Sequence, residues 1–410
     1  MNIWLYGINY APELTGIGKY SGEMGGWLAK EGHQVKAITG FPYYPNWEVQ
    51  KPYTGRWWKK EQPRKGETII RCPLYVPQQP SALKRIVHEF SFLLSSSMAL
   101  LLALFQKCDV IVCIVTPFHL GIPARLFSWL KGVPMVYHIQ DLQVDAAEDL
   151  KMIKNKSLLR LMKAIERWIL GKTNWISTIS DGMIKKIETK GIAAQKILFF
   201  PNWVDTDFIY PLSKEDSLKE PLGFSTSDRI VLYSGNLGVK QGLENIIEVA
   251  RNLRSVANLF FVIVGEGGAK DQLQQLVKAD QLDNVCFFPL QDYDKLAALL
   301  AMADLHLVLQ KKAASDLVMP SKLTTILAAG AAAIITAEPG STLHEIVAQY
   351  ELGLIIEPDN PVSLLQGIRE ALDNDLEKYK ANARKYAEQY LHKDKILRAF
   401  EQQLLDMTTM

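Results

Sequence analysis

Two glycine-containing segments of the chain have the residues that binding of a phosphate group requires. Gly16 and Gly18 lie in YAPELTGIGKY, just before a predicted helix, and Gly235 and Lys240 lie in YSGNLGVKQG, before another. Glycines let the backbone N–H groups at a helix N-terminus approach an anion, and a lysine adds a positive charge there. Both segments therefore predict a site for an anion such as a diphosphate, with a simple turn and a solvated lysine as the alternatives.

A third segment, DLVMPSKLTTILAAG, is the strongest indication of an anion site. Pro320 suits the start of a helix, Ser321 is expected to cap that helix, and Lys322 adds a charge at the same N-terminus. Backbone N–H donors, a hydroxyl group and an ammonium group would then surround one anion. A further glycine turn, VGEGG around Gly265, follows a predicted strand, where a short connection to a helix needs such a turn in any case.

One histidine could take part in chemistry at the end of a predicted strand. His138 lies in YHIQDLQVD, where its side chain could donate a hydrogen bond to a developing charge or to a sugar hydroxyl. A histidine whose ring is satisfied by a neighbouring group is the alternative. The chain has no second His or Cys at ligand spacing from His138, which disfavours a metal site.

Composition and motifs exclude several classes of protein. The 46 Lys and Arg residues balance 44 Asp and Glu residues, so a net charge of +2 gives no electrostatic basis for binding nucleic acid. Four scattered cysteines without a C-x-x-C pair indicate reduced, cytoplasmic thiols rather than a disulfide scaffold or a zinc site. Ser21 occupies the third-glycine position of G-x-G-x-x-G, which disfavours a dinucleotide-dependent oxidoreductase.

Short β-branched segments alternate with helical patterns along the 410 residues, which predicts an α/β protein with doubly wound parallel sheets. Twelve strands are expected, six in each half, and two sheets accommodate them better than one. The predicted strands cover residues 3–9, 34–39, 109–115, 134–139, 175–179, 197–200, 229–234, 259–264, 285–288, 305–309, 333–336 and 352–356.

A segment rich in Pro, Ser and acidic residues at 201–225 indicates a boundary between two domains. We therefore expect an N-terminal domain over residues 1–203 and a C-terminal domain over residues 204–390. A last helical segment, 391–410, could pack back on the N-terminal domain. Two doubly wound domains facing each other would place the carboxyl ends of both sheets around one interdomain cleft, where ligands of such folds bind.

The longest apolar run, FSFLLSSSMALLLALF at 90–105, predicts a helix of sixteen residues. Such a helix is about 24 Å long, short of the roughly 30 Å of a hydrocarbon core. Because Lys84 and Arg85 precede it and Phe90 and Phe92 begin it, the helix could lie on an anionic membrane surface. A core helix is equally compatible with the run. The N-terminal residues MNIWLYG resemble a first strand rather than a signal peptide.

Several motifs together make the chain similar to the family 4 retaining glycosyltransferases of the GT-B type. They are YAPELTGIGKY, PNWVDTDFIYP, LYSGNLGVKQGLENIIE, VGEGG and MPSKLTTILAAG, and they extend over essentially the whole chain. Within that family, HIQDLQVDA and LVMPSKLTTILA resemble most the fucosyltransferases of colanic-acid biosynthesis. The resemblance implies a GT-B fold of two Rossmann-like domains, an N-terminal one that binds the acceptor and a C-terminal one that binds a nucleotide sugar.

The resemblance also implies roles for individual residues. His138 would contact the transferred sugar, and Asp316, beside a degraded E-x7-E motif, would bind the hydroxyl groups of that sugar. Gly265 and Thr325 would lie at the nucleotide and its ribose, although Thr325 stands where the family has its second Glu. Asn236 stands where many relatives have Arg. The residues implied at the donor diphosphate are Gly16, Gly18, Gly235, Asn236, Lys240, Ser321, Lys322 and Leu323.

The implied reaction is transfer of a sugar, fucose from GDP-fucose by nearest resemblance, to a lipid-linked saccharide in exopolysaccharide biosynthesis. No metal or other cofactor is expected, since lysines and helix N-termini would neutralise the leaving diphosphate. The acceptor region would include Glu13, Tyr43 and Trp57, and the enzyme would be cytoplasmic and peripheral at the inner face of the plasma membrane. The alternatives are a glycosyltransferase for another GDP- or UDP-sugar, a nucleotide-sugar 2-epimerase, and a non-catalytic binder of nucleotide sugars.

Overall fold

The computed structural model describes residues 1–13, 16–149, 153, 155–312 and 320–409. The chain divides into two compact units, one of residues 1–202 with 395–410 and one of residues 203–394. Each unit is built on its own sheet, with helices between successive strands. The predicted α/β class with two doubly wound sheets is therefore confirmed.

Among its described residues, the first unit contains eight strands and six α-helices before residue 203. Its strands are β1 (Asn2–Tyr6), β2 (Gln34–Gly40), β3 (Lys59–Arg64), β4 (Glu67–Cys72), β5 (Val110–Val115), β6 (Met135–Ile139), β7 (Trp175–Thr178) and β8 (Ile197–Phe199). Its helices are α1 (Gly16–Lys30), α2 (Ala82–Leu102), α3 (Gly121–Lys131), α4 (Gln143–Asp149), α5 (Lys156–Lys172) and α6 (Asp181–Thr189). The sheet order is β3-β4-β2-β1-β5-β6-β7-β8, parallel except for the antiparallel pair β3–β4.

The second unit contains six parallel strands in the order β11-β10-β9-β12-β13-β14. They are β9 (Arg229–Ser234), β10 (Leu259–Val264), β11 (Val285–Phe288), β12 (Leu305–Val308), β13 (Ala333–Thr336) and β14 (Leu354–Ile356). Its helices are α7 (Glu244–Asn252), α8 (Lys270–Ala279), α9 (Leu296–Met302), α10 (Ser321–Ala328), α11 (Thr342–Tyr350), α12 (Pro361–Asp373) and α13 (Glu377–Tyr386). The last helix, α14 (Lys393–Thr409), joins the first unit from Lys395 onward.

Two central strands of the first sheet, β5 and β6, are almost entirely apolar. β5 has the sequence VIVCIV and β6 the sequence MVYHI, and every residue of both strands is buried. Strands that are covered on both faces lose the apolar–polar alternation of half-exposed strands, which is why these segments could be predicted as continuous apolar runs. Since the strands are parallel, the loops after β1, β2, β5 and β6 emerge at the same edge of the first sheet.

All twelve predicted strands are present, but the first sheet also contains β3 and β4, which the sequence pattern did not indicate. β3 has the sequence KKEQPR, with Pro63 near its end and most of its residues exposed. Pro and charged side chains are typical of edge strands, where they prevent pairing with other chains, and they also remove the pattern by which strands are recognised. β4 is a short strand between β2 and this edge.

The apolar helix differs from its prediction in both length and position. Helix α2 begins at Ala82, after Ser81 accepts a hydrogen bond from the backbone N–H of Lys84, and it ends at Leu102. Its 21 residues span about 31 Å, so the expected length of sixteen residues was wrong. The part from Leu83 to Leu102 is long and apolar enough to cross a membrane, by length and composition alone. The helix packs on β2, β4 and α3.

Helix α14 packs on the rest of the first unit. The ring of Phe400 stacks on that of Phe200, with the centroids 3.9 Å apart, and Phe400 is fully buried. Glu401 accepts a hydrogen bond from Nε2 of His33 at 2.7 Å, and Arg398 lies over the ring of Trp27. The first unit is therefore formed from both ends of the chain.

Candidate functional site

The predicted glycine loop that contains Gly235 follows the carboxyl end of β9. Gly235 has φ 144°, and its N–H donates to the carbonyl of Val264 at 2.9 Å. Gly265 follows β10 directly, and a Cβ atom there would lie 1.9 Å from the Gly235 carbonyl oxygen. Glycine at 265 is thus required by the close approach of two loops. Its predicted role at the nucleotide stays a prediction.

Lys322 lies in the first turn of α10, next to the Gly235 loop. A Cβ atom on Gly235 would be 3.3 Å from Lys322 Nζ, and Nζ lies 3.7 Å from the centroid of the Tyr233 ring. The residue keeps some exposed surface, but Nζ itself is buried and has no hydrogen-bond partner among the residues that the structure describes. Burial lowers the pKa of Lys322 to about 7. The structure therefore places the ammonium group of Lys322 beside the Gly235 loop, with no anionic partner among the described residues.

The other residues predicted at the N-terminus of α10 make contacts within the protein, and only the predicted cap is contradicted. Pro320 occupies the N-cap position without a side-chain cap, so the expectation that Ser321 caps the helix was wrong. Leu323 is fully buried in the core, and its N–H donates to the Pro320 carbonyl. The Thr325 hydroxyl donates to the Lys322 carbonyl at 2.9 Å.

Of three further residues of the predicted donor site, two are exposed and one lies beyond the described part of the chain. Asn236 is exposed, and its carbonyl accepts a hydrogen bond from the Tyr233 hydroxyl at 2.8 Å. Lys240 is exposed in a short turn, where its carbonyl accepts the N–H of Lys311 at 2.8 Å. Asp316 lies outside the described residues.

In the first unit, His138 lies at the end of β6 and is buried. Its Nδ1 lies 2.9 Å from Ser177 Oγ, and its Nε2 lies 2.8 Å from Gln140 Nε2. Burial lowers the pKa of His138 to about 3, so the ring is neutral at physiological pH. Both ring nitrogens are therefore satisfied by neighbouring side chains, which is the arrangement given above as the alternative to a sugar contact.

The first glycine loop is occupied by a side chain of the protein itself. Gly16 and Gly18 belong to the first turn of α1 rather than preceding the helix, which corrects the prediction. A Cβ atom on Gly18 would lie 2.3 Å from Glu13 Oε2. Glu13 accepts hydrogen bonds from the backbone N–H groups of Tyr43 and Tyr44, both at 3.0 Å, and burial raises its pKa. Glu13 thus holds two loops together, and its predicted place in the acceptor region stays a prediction.

The predicted acceptor residues Tyr43 and Trp57 differ in their exposure. Tyr43 is buried, with its ring 4.5 Å from that of His88 and 5.4 Å from that of Trp47. Trp57, by contrast, is 78% exposed and makes no ring contact within the described part of the chain.

The edge of the first sheet where the loops after β2, β5 and β6 emerge also carries residues that the sequence did not indicate. Glu89 of α2 accepts a hydrogen bond from Gln143 Nε2 at 3.1 Å, and its other oxygen lies 3.9 Å from His119 Nδ1. Burial raises the pKa of Glu89 to about 7 and lowers that of His119 to about 4. A lone carboxyl group in an apolar helix and a histidine four residues after a strand were the signals present in the sequence.

Some acidic residues of the chain have the spacing of a metal-binding pattern. The chain contains Asp-x-Asp triplets, a pattern of carboxylates that can hold a divalent cation, and Asp205-Thr206-Asp207 is one of them. Asp205 is engaged by Lys393 Nζ at 3.3 Å and by the N–H of Phe208 at 3.1 Å. Within the described ranges, no three or more His, Cys, Asp or Glu side chains form a group that could hold a metal ion.

Comparison with known proteins gives the family. Residues 15–203 match the model of the glycosyl transferase 4-like domain, and residues 214–390 match that of the glycosyl transferases group 1. The chain is 45% identical over 406 residues, 98% of either chain, to WcaI of Escherichia coli (strain K12), which is named for a glycosyl transferase of colanic acid biosynthesis. The chain belongs to the group 1 glycosyltransferases. The predicted enzyme class is thereby confirmed.

More distant relatives of this glycosyltransferase cover its whole length. The N-acetyl-alpha-D-glucosaminyl L-malate synthase of Bacillus anthracis is 22% identical over 404 residues, 96% of this chain and 95% of its own. Sucrose-phosphate synthase from Thermosynechococcus elongatus superimposes with a TM-score of 0.75 at 16% identity, over 100% and 99% of the two chains. Anabaena HepE, solved with UDP and glucose, gives 0.72 at 15% identity, over 99% and 100%. The GT-B fold is thus confirmed.

Proposed function

We propose that this glycosyltransferase transfers fucose from GDP-fucose to a lipid-linked saccharide, in the biosynthesis of an exopolysaccharide of the colanic-acid type. The transfer retains the anomeric configuration and uses no divalent cation. Identity to WcaI over nearly the whole chain supports the pathway, and the complexes of HepE with UDP and UDP-glucose support a nucleotide-diphosphate donor. Fucose is the sugar that the resemblance of motifs such as LVMPSKLTTILA implies.

The observation that carries the donor proposal is the buried ammonium group of Lys322 beside Gly235. A cation buried without a partner is costly unless an anion joins it, and Nζ has no partner among the described residues. The diphosphate of a nucleotide sugar is such an anion, and its negative charge grows as the glycosidic bond lengthens. Lys322 and the N-terminal dipole of α10 therefore stabilise the transition state more than the ground state.

The lowered pKa of Lys322 fits a group whose charge is completed by its ligand. With a pKa of about 7, a large fraction of these side chains is neutral at physiological pH when the site is empty. A bound diphosphate favours the ammonium form and returns the pKa toward its ordinary value. Donor binding therefore takes up protons, and metal-free neutralisation of the leaving group follows from the same residue.

His138 positions the transferred sugar and does not act as a base, because its low pKa keeps it neutral and its nitrogens are held by Ser177 and Gln140. A sugar hydroxyl replaces the Gln140 amide at Nε2. The acceptor oxygen attacks the anomeric carbon from the face that the diphosphate leaves. The bond from carbon to phosphate oxygen breaks as the new bond forms, and the departing phosphate takes the proton of the acceptor hydroxyl.

Work at the inner face of the plasma membrane is supported by an exposed apolar surface on the first unit. The outward side of α2 carries apolar side chains at helical spacing, and α3 packs beside it with more. Lys84, Arg85 and Arg125 belong to the same two helices and suit an anionic lipid surface. The exposed apolar residues are Leu83, Ile86, Val87, Phe90, Leu94, Met98, Leu101 and Leu102 of α2, and Ile122, Leu126, Trp129 and Leu130 of α3.

A thermal-shift panel of GDP-, UDP-, ADP- and dTDP-sugars tests the donor. Ligand linkage predicts a higher Tm with one nucleotide class, and we expect GDP-fucose to give the largest shift. The shift should be lost in Lys322→Met and kept in Lys278→Met, an exposed lysine of α8 that serves as control. No shift with any nucleotide sugar contradicts the proposal, and so does loss of transfer on adding a chelator.

A second assay separates the remaining alternatives. Incubation of the donor without any acceptor should leave the sugar unchanged in configuration at C2. Epimerised donor would indicate a nucleotide-sugar 2-epimerase, and binding without transfer to any lipid-linked saccharide would indicate a non-catalytic binder.

A further inference from the structure

A group of polar and aromatic side chains outside the donor site lies at the carboxyl edge of the first sheet. Tyr43 comes from the loop after β2, His119 from the loop after β5, and Gln143 from the segment after β6. Glu89 joins them from the N-terminal half of α2. In open parallel sheets this edge is where ligands bind, because the loops that end the strands converge there.

Glu89 is the carboxylate of this group, and its oxygens have unused hydrogen-bonding capacity. Its side chain is 23% exposed, one oxygen accepts the Gln143 amide, and the other lies 3.9 Å from His119 Nδ1. An ionised carboxylate has about four acceptor positions. Among the described residues no Lys or Arg comes within ion-pair distance of Glu89, so the carboxylate is left to accept hydrogen bonds from a ligand.

Aromatic rings lie near the carboxylate. Phe90 is half exposed and stacks on His119, with the ring centroids 4.9 Å apart and the planes inclined by 16°. Tyr43, Trp47 and His88 form one cluster of rings, and the charge of Glu89 contributes to the raised pKa of Tyr43. Rings offer flat apolar surfaces, and a few convergent polar groups between such surfaces give a site its specificity.

Two buried nitrogen atoms at this place have no partner within the described residues, Nε2 of His119 and Nε2 of His88. Both histidines are more than nine-tenths buried. Buried polar atoms are normally hydrogen-bonded, so unpaired ones beside an open carboxylate indicate that the arrangement is completed by another molecule. A saccharide, which has apolar ring faces and many hydroxyl groups, fits both the aromatic and the polar parts.

We propose that Glu89 binds the hydroxyl groups of the acceptor saccharide, with Phe90 against the face of the sugar ring. The inference rests on the proposed transfer to a lipid-linked saccharide and names the residues that select it. Phe90 also belongs to the exposed apolar row of α2. One helix therefore carries the carboxylate for the sugar and, one residue further along, a part of the surface for its lipid.

The charge of Glu89 gives the site a recognisable pH dependence. Burial raises the pKa of Glu89 to about 7, with Gln143 and Arg85 opposing that shift. The other titratable groups facing it keep one charge state between pH 6 and 8. His119, with its pKa lowered to about 4, stays neutral, and Tyr43 has a raised pKa and stays protonated, while burial disfavours the charged form of His88. Hydrogen bonds to the ionised carboxylate therefore strengthen as the pH rises through this range.

Binding of methyl and octyl β-glycosides of glucose and galactose, followed by saturation-transfer NMR with the full chain, tests the proposal. Glu89→Gln should weaken binding of the best glycoside about tenfold, since a charged acceptor is replaced by a neutral one. The affinity of the wild type should rise between pH 6 and 8, and that of Glu89→Gln should not. Glu188→Gln, an exposed carboxyl group on α6, should behave like the wild type in both respects.

Equal affinities for Glu89→Gln and the wild type, or the same pH profile in both, overturn the assignment of Glu89. Absence of saturation transfer from every glycoside overturns it as well. These failures are separable from failure of the proposed function, because the thermal shift with nucleotide sugars is measured on the same variants. A chain that binds GDP-fucose but no glycoside through Glu89 keeps its donor and loses only this acceptor site.

Discussion

Lys322 illustrates how a single residue can carry a cost in the free protein that its ligand removes. Lys322 lies between a tyrosine ring and a glycine loop, without an anion among the described residues, and its burial there disfavours the charged form. The second sheet nevertheless keeps this side chain fixed at the start of a helix. Glycine at 235 leaves the space next to Nζ open, since a larger residue would contact it. In such a site the charge of the lysine costs free energy in the free protein, and a bound anion removes that cost.

Replacing Lys322 by Met should therefore stabilise the free protein at neutral pH. The folded-state pKa is lowered to about 7 from the ordinary 10.5, so between these values the unfolded chain binds more protons than the folded one. Stability of the wild type then rises with pH by up to about 1.4 kcal/mol per pH unit. Lys322→Met lacks this slope, so its advantage should shrink from pH 7 to pH 10.

Urea unfolding of both proteins at several pH values measures this difference. Other groups with shifted pKa values, such as Lys36 and Lys214, are present in both proteins and cancel. A pH-independent difference between the two proteins would show that Lys322 keeps its proton in the folded state.

His138 gives a second prediction for single residues. His138→Ala should lower turnover about a hundredfold through loss of a positioned donor, while the affinity for GDP, whose binding we propose for the second unit, is unchanged. The variant should also unfold at a lower temperature, because Ser177 and Gln140 lose their partner. Because the pKa of His138 is about 3, its removal should leave the pH profile of transfer between 5 and 8 unchanged. Steady-state kinetics and GDP titration check these points, and unaltered turnover would remove His138 from the mechanism.

Among the elements, α2 is unusual because both of its long faces are apolar. One face, with Phe92 and Leu100, is buried against the sheet, while the opposite row around Leu94 is exposed. A helix of an ordinary soluble domain has polar residues on its outer face. Large exposed apolar patches mark surfaces that meet another partner, and the basic residues at the N-terminal end of α2 favour an anionic bilayer.

Flotation with vesicles measures this surface. We expect the protein to float with phosphatidylglycerol vesicles and much less with phosphatidylcholine vesicles. The double variant Lys84→Ala/Arg85→Ala should bind about thirtyfold more weakly, since each basic residue at an anionic surface contributes about 1 kcal/mol. Lys65→Ala/Lys185→Ala removes two exposed lysines away from α2 and serves as the control. If none of the proteins floated with either kind of vesicle, peripheral binding would be contradicted.

The elements also show what the sequence could and could not predict. Strands such as β5 and β10 are continuous apolar runs, and their pattern was sufficient. β3 was missed because its exposed charged residues carry no pattern. The start of α10 was predicted within a residue, yet the cap was assigned to Ser321 instead of Pro320. Burial decides such details, and burial depends on residues far away in sequence.

The same limit applies to the candidate site. The Gly235 and Lys322 segments each carry a local sequence pattern, and the structure places them together. The partners of Glu13, the N–H groups of Tyr43 and Tyr44, could not be predicted because they are backbone atoms about thirty residues away. Glu89 carried no motif and became visible only when α2 was placed beside His119.

At the scale of the whole molecule, the chain leaves the first unit after residue 202 and returns to it at residue 395. The return is anchored by Phe400, whose ring stacks on Phe200, and Phe200 in turn lies 5.0 Å from the ring of His138. The C-terminal helix thus supports, through one intervening ring, the residue predicted to position the sugar.

Phe400→Ala should cost about 3–5 kcal/mol in the stability of the first unit, as expected for truncating a buried aromatic side chain. Hydrogen exchange followed by mass spectrometry should show faster exchange in β7, β8 and α14 and unchanged exchange in the second unit. Phe208→Ala, which removes a ring stacked on Tyr293 in the second unit, is the matched control. Exchange that increases equally in both units after Phe400→Ala would show that they unfold together.

The split composition of the first unit sets an order for the newborn polypeptide. A ribosome delivers all of residues 203–394 before it has made the last segment of the unit that it began with. The early half therefore waits with the surface around Phe200 uncovered while the later half is completed, and exposed apolar surface of that kind invites association with other chains. A pause in translation before residues 395–410 are made prolongs this wait, so the speed of synthesis there bears on how much folded enzyme is obtained.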